Sequence, residues 1–173
     1  MHLSIYTDGS CSGNPGPGGW AYAIVAFDGT GAGQALSPMP GMLFPQETPQ
    51  GKLIRERWGG EPMTTNNRME LLAAVLALES LIELRFSPES VTVYTDSQYV
   101  QKGMTTWIDA WKRNGWRTSE RKPVKNQELW LRLDELGPKF GVVWRWVRGH
   151  AGNEFNERCD LMARMAISQI KRS

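Results

Sequence analysis

Cysteine and histidine are scarce in this chain. Cys11 and Cys159 are its only thiols, far apart and outside any Cys-x-x-Cys pair. They supply neither a disulfide framework nor a zinc site, so reduced thiols and a cytoplasmic location are expected. His2 and His150 are the only histidines, too few and too distant for an imidazole-based metal centre. No uninterrupted apolar run reaches the ~18 residues of a membrane-spanning helix, so no membrane association is expected. The start of the chain lacks a basic segment followed by a long apolar one, so no signal peptide is expected. An excess of one charge is missing as well, with a formal net charge of only +2. What is present is ordinary globular composition, 40% hydrophobic and 22% charged over 173 residues. That is enough for one domain with a substantial core.

The charge is unevenly placed. Between Trp107 and Lys125, Lys112, Arg113, Arg117, Arg121, Lys122 and Lys125 stand against only Asp109 and Glu120. A basic lobe on a slightly acidic body suggests a polyanionic partner.

The chain is organised around its first stretch, Leu3 to Trp20. Leu3, Ile5 and Tyr6 read as a strand of about 3–8 that closes on Asp8. The Gly- and Pro-rich run that follows forces a reversal into a second strand at about 19–27, making a hairpin with a carboxylate at its tip. Residues 28–50 read as a long loop, and 51–58 as a charged third strand on a sheet edge. The whole reads as a single domain, 1–173, with an extended loop at about 28–63. Capping residues Thr64 to Asn67 precede an amphipathic helix at 67–84, with Leu71, Ala74, Val75, Leu78, Leu81 and Ile82 at helical spacing. A fourth strand at 91–95 then lies parallel to a strand already in the sheet. Helices are expected to about Lys102 and within 107–136, around a basic loop at 115–124. A fifth strand at 141–148 and a last helix at about 153–170, carrying Leu161, Met162, Met165, Ala166 and Ile170 inward, complete the chain.

Tyr94-Thr-Asp96 repeats Tyr6-Thr-Asp8. If the two strands are neighbours, two carboxylates meet at one sheet edge. Glu70, near the start of the long helix, and Asp160, in the last helix, are candidates to join them. Each acid also fits a purely structural role: Asp8 a turn residue, Glu70 the partner of Asn67 in a capping box, Asp96 an N-cap, Asp160 a solvated helical charge. Together, clustered acids repel unless a cation joins them. All-oxygen ligation without His or Cys selects hard cations, Mg²⁺ or Mn²⁺, and two such ions about 4 Å apart suit phosphodiester displacement. His150, on a loop bounded by Gly149 and Gly152, is either a surface histidine or a proton-transfer group near neutral pH.

Five blocks in order carry a resemblance: Tyr6-Thr-Asp-Gly-Ser-Cys11 with Asn14-Pro-Gly-Pro-Gly-Gly19, Thr64-Thr-Asn-Asn-Arg-Met-Glu-Leu71, Tyr94-Thr-Asp-Ser-Gln-Tyr-Val100, Gly149-His-Ala-Gly152, and Asn156-Glu-Arg-Cys-Asp160. Over nearly the whole chain the sequence resembles ribonuclease HI, the bacterial type 1 family. The resemblance implies an α/β fold of the RNase H-like kind, a five-stranded mixed sheet in the order 3-2-1-4-5 flanked by helices. It implies metal-dependent endonucleolytic cleavage of the RNA strand of RNA–DNA hybrids, leaving 5′-phosphate and 3′-hydroxyl ends. Asp8, Glu70, Asp96 and Asp160 correspond to its metal-binding catalytic acids and His150 to its mobile histidine. Cys11, Asn14, Asn66, Asn67 and Gln98 correspond to contacts in the minor groove, where RNA exposes its 2′-hydroxyls. Thr65 and Asn126 correspond to a pocket for a DNA phosphate. The basic segment corresponds to the family's substrate-binding protrusion. There Trp107 and Trp111 pack either on DNA sugars or in the core, and Lys112, Arg113, Arg117, Lys122 and Lys125 hold phosphates. Trp130 and Trp144 are expected in the core. A monomer is expected, with a single-strand-binding protein as a further candidate partner. An integrase-like or junction-resolving nuclease would also use clustered acids but lacks the basic tryptophan-rich segment. A non-catalytic hybrid-binding module would gain nothing from acids facing phosphate. Two departures from the family stand out, the length of 28–63 and the residues Asn153-Glu-Phe155.

Overall fold

The computed structural model describes residues 1–27, 51–149 and 153–173. The expected 28–50 loop and His150 lie outside them. Period-two burial sets the first hairpin. In β1 (His2–Cys11) Leu3 and Ile5 face one side, Tyr6 and Asp8 the other, and β2 (Gly16–Phe27) returns antiparallel with Ala21 opposite Asp8. β3 (Lys52–Thr64) pairs antiparallel on the outside of β2. α1 (Asn66–Glu83) then crosses the sheet, and β4 (Ser90–Thr95) comes back parallel to β1, as a helical crossover requires. α2 (Gln98–Lys102), a π-helical turn (Gly103–Trp107) and α3 (Ile108–Arg113) follow without a break. After α4 (Gln127–Phe140), β5 (Val142–Trp146) adds parallel to β4, and α5 (Glu154–Arg172) ends the chain. The five-stranded mixed sheet has the expected order, β3-β2-β1-β4-β5.

Helices cover both faces. Leu71, Ala74, Leu78 and Leu81 of α1, with Trp130, Leu133 and Leu136 of α4, pack on Leu3, Ile5, Ile24, Val91 and Val93. On the opposite face, Phe155, Cys159, Met162 and Ala163 of α5 pack on Tyr6, Ala21, Ala23 and Val25. Burial of these side chains supplies the main drive for folding. Trp130 is fully buried, whereas Trp144 is half-buried against the same core. No described helix is long and apolar enough to cross a membrane.

Several boundaries move. β1 runs past Asp8 to Cys11, so Asp8 sits inside a strand and not at a hairpin tip. β3 reaches Thr64 and takes in residues 52–63 of the expected 28–63 loop. The ladder with β2, Gly19 opposite Gly60 and Gly18 opposite Glu61, overrides the loop character of Gly59-Gly-Glu-Pro62. α5 is rotated from its expected stripe: Phe155, Cys159, Met162, Ala163, Ala166 and Ile167 are buried, and Leu161, Met165 and Ile170 are only half-buried.

Candidate active site

The two Tyr-Thr-Asp segments lie side by side in register. Tyr6 pairs with Tyr94 and Thr7 with Thr95, and the two tyrosine rings stack at 5.1 Å. The residue after each threonine is an aspartate, Asp8 still within β1 and Asp96 just past the end of β4, and the two come together. Glu70 reaches them because β1 and α1 approach closely at Gly9. A Cβ there would lie 2.3 Å from the Glu70 nitrogen, so only glycine admits the helix. Thr65 caps α1, its side chain accepting from the Arg68 N–H. Glu70 therefore belongs to no capping box with Asn67, and its side chain turns inward. Asp96 is not a cap either, since Ser97 caps α2 by accepting from the Val100 N–H.

Carboxylate oxygens of Asp8, Glu70 and Asp96 all lie within 4.8 Å of one another. Asp8 and Glu70 are each 4% exposed. Burial first, then the charges of Asp96 and Asp160, push the Asp8 carboxyl up to about 8. Burial, then Asp8 and Asp96, raise Glu70 well above the usual carboxylate range. Oε2 of Glu70 is buried with no partner. Asp160 lines the same cleft, of about 360 Å³, together with Asn66, Asn67, Gln98 and Tyr99. It is not one of the three acids whose oxygens converge, and Arg164 of the same helix donates to its Oδ2, at 2.9 Å from Nη2. An orphaned carboxylate oxygen and buried acids held partly protonated are what a hard divalent cation would relieve. The donor set fits such an ion.

Beside the acids lies a larger groove of about 650 Å³, lined by Asn14, Thr65, Asn67, Tyr99, Trp111, Lys122, Lys125 and Asn126 among others. The N–H of Asn66 donates to the Asn14 side chain at 3.0 Å, tying the first turn to the start of α1. Cys11 is half-buried and its thiol points at the carbonyls of Gly16 and Thr64. Trp107 and Trp111 are half-buried members of a ring cluster with Tyr99, Trp116 and Trp130, and Trp111 both packs on the main core and lines the groove. Lys112 pairs with Asp134 at 3.2 Å, Arg117 donates to the Arg121 carbonyl, and Arg113 is exposed on α3; none of these three lines the groove.

Sequence reasoning missed Tyr99, which lines both the cleft and the groove. Its position beside Gln98 was a usable signal. It also missed Trp116, which closes the aromatic cluster at a left-handed φ of 61°, and Arg164, whose i,i+4 spacing from Asp160 is visible in the sequence.

A mixed α/β sheet that gathers carboxylates at the meeting of β1, β4 and α1, next to a basic aromatic groove, defines an enzyme class acting on polyanions. Within that class the chain belongs to the RNase H family, whose model, described as RNase H, matches residues 1–168. It is an enzyme of that family. A protein named ribonuclease H from Ruegeria sp. is 51% identical over 171 residues, covering 99% of this chain and 94% of that protein. Another of that name from Cereibacter sphaeroides is 48% identical over 171 residues, 98% and 97% of the two chains. Among solved structures, LC9-RNase H1, described as a type 1 RNase H with the type 2 active-site motif, superposes with a TM-score of 0.77 at 32% identity, over 97% of this chain and 72% of that one. LC11-RNase H1 in complex with an RNA/DNA hybrid shares the fold, with a TM-score of 0.63 at 22% identity over 96% of this chain and 97% of that one.

Proposed function

We propose that the protein is an endonuclease that hydrolyses the RNA strand of RNA–DNA hybrids with two divalent cations, Mg²⁺ or Mn²⁺, leaving 5′-phosphate and 3′-hydroxyl ends. The observation that carries this reading is the convergence of Asp8, Glu70 and Asp96 within 4.8 Å, in a member of the RNase H family. When bound, such ions would activate a water and stabilise the departing 3′ oxygen. Asp8, Glu70, Asp96 and Asp160 would hold them, and Asp8, central to the cluster, would serve both. Arg164 would have to share Asp160 with an ion.

The rest of the chain binds and orients substrate. Asn66, Asn67 and Gln98, in the acidic cleft, are placed to read 2′-hydroxyls in the minor groove, with Cys11 and Asn14 beside them. Thr65 and Asn126, which precede α1 and α4 and both line the larger groove, suit a phosphate of the DNA strand. Trp107 and Trp111 offer aromatic surface to sugars, and Lys112, Arg113, Arg117, Lys122 and Lys125 offer charge to phosphates. His150 is proposed to move protons at the cleft. Its chain neighbour Gly149 lies against Asp96, where an added Cβ would stand 3.0 Å from Oδ2. The protein would act as a monomer in the cytoplasm, and the two free cysteines agree with a reducing compartment.

A labelled RNA–DNA hybrid incubated with and without Mg²⁺ tests the reading. Cleavage of the RNA strand only, and only with the ion, is expected. Asp8→Asn should abolish it while leaving folding and hybrid binding largely intact. Cleavage retained by Asp8→Asn would remove the proposed role of the cluster.

A further inference from the structure

Asp96 is the first residue past the end of β4, where the sheet ladder no longer holds the backbone. Three contacts take over. The Val147 N–H donates to the Thr95 carbonyl at 2.8 Å. The Ser97 N–H donates to Thr95 Oγ1 at 3.0 Å. The indole Nε1–H of Trp146, the residue paired with Thr95 at the end of β5, donates to the Asp96 carbonyl at 3.0 Å. The last of these is made to Asp96 itself.

We propose that Trp146 is a positioning residue for the RNase H reaction, its indole N–H fixing the peptide of Asp96 and thereby the direction of the Asp96 carboxylate. The role rests on the hybrid-cleaving function proposed above. Trp146 is 44% exposed, which a tryptophan selected for core packing would not be. A single bond from a partly exposed side chain to a backbone carbonyl adds little to global stability. The same bond matters for geometry, because a displacement of about 1 Å in a reacting group can cost ~100-fold in rate. Gly149, three residues on, lies beside the Asp96 carboxylate, where an added Cβ would stand 3.0 Å from Oδ2, so one short segment borders both the carbonyl and the carboxylate of that residue. Groups that orient ligands of a metal site from behind typically change affinity or activity by about 10–100-fold when removed.

The test compares Trp146→Phe, which keeps a ring and loses the donor, with Trp146→Gln, which carries an N–H the same number of bonds from Cα. Three quantities are measured: kcat and KM for hybrid cleavage, Mn²⁺ affinity of the substrate-free protein by calorimetry, and the thermal midpoint. Trp146→Phe should lower kcat roughly tenfold with KM for the hybrid unchanged, weaken Mn²⁺ binding, and keep its thermal midpoint. Trp146→Gln should recover kcat and Mn²⁺ affinity relative to Phe. Wild-type kcat and ion affinity in Trp146→Phe would overturn the proposal, and so would equal impairment of the two variants, which would assign the effect to the ring and not to its donor. If the wild-type protein left hybrids intact, the functional reading would fall, and the ion titration would still decide the role of Trp146.

Discussion

Asp8 is held in a position where its own charge is unwelcome. Its carboxyl titrates near 8 through burial and the charges of Asp96 and Asp160, against about 3.9 in an unfolded chain. Between those values the folded protein keeps a proton that the unfolded chain has lost. The metal-free protein therefore loses stability as pH climbs from about 4 to about 8. Asparagine has no proton to lose. Asp8→Asn should flatten that decline and raise stability at pH 8 by about 1–2 kcal/mol, since a tenfold change in proton affinity is worth ~1.4 kcal/mol and Glu70 keeps part of the strain. Thermal melts in chelator at pH 5 and pH 8 check this. The wild-type midpoint should fall more than that of the variant, and added Mg²⁺ should restore the wild type far more than the variant. The stability gain and the loss of cleavage would then come from one substitution, as expected where a site stores strain for function.

At the scale of elements, α5 carries Asp160 and is clamped to the sheet by Arg158. Arg158 is 6% exposed, and its guanidinium makes a two-point pair with Glu56 of β3, with Nη2 to Oε1 at 2.7 Å. Arg158→Met leaves Glu56 half-buried without its partner and should cost about 2–3 kcal/mol, while adding Glu56→Gln should recover part of it. A denaturant-melt double-mutant cycle measures the coupling, and independent effects would show that the clamp is unimportant. This pair belongs to no pattern that names the site, because it depends on how α5 lies on the sheet, whereas the contact of Arg164 with Asp160 lies within α5 at i,i+4 and could have been read. The Tyr-Thr-Asp echo was legible for the opposite reason: parallel neighbours with the same three residues fall into register once the crossover is read, and α1 followed from its own local periodicity, while the full strand order came from the resemblance to the family. What stayed hidden were the exchanges between local preference and long-range pairing. Thr65 took the cap that Asn67 also suited, β3 absorbed Gly59 and Gly60, and Trp111, read as either core or surface, became both.

The whole molecule separates its charges. The acidic cleft and the groove lined by Lys122 and Lys125 are neighbours sharing Asn67 and Tyr99, on a chain whose net charge is only +2. Attraction of a polyanion must then come from the lobe, since the chain as a whole offers almost none and the cleft opposes it until cations are present. If the lobe contacts phosphates, log Kobs for hybrid binding falls linearly with log salt, with a slope of about −0.9 for each phosphate neutralised on a duplex. Binding is best followed by anisotropy in Asp8→Asn, which keeps the hybrid whole. Lys122→Ala with Lys125→Ala in that background should weaken binding and make the slope shallower by about 1–2. Neutralising two lysines remote from the groove, Lys52 at the start of β3 and Lys139 at the end of α4, should leave the slope in place. An unchanged slope in the lobe variant would mean that phosphates run elsewhere on the surface, and the groove beside the acids would then lose its claim to the substrate.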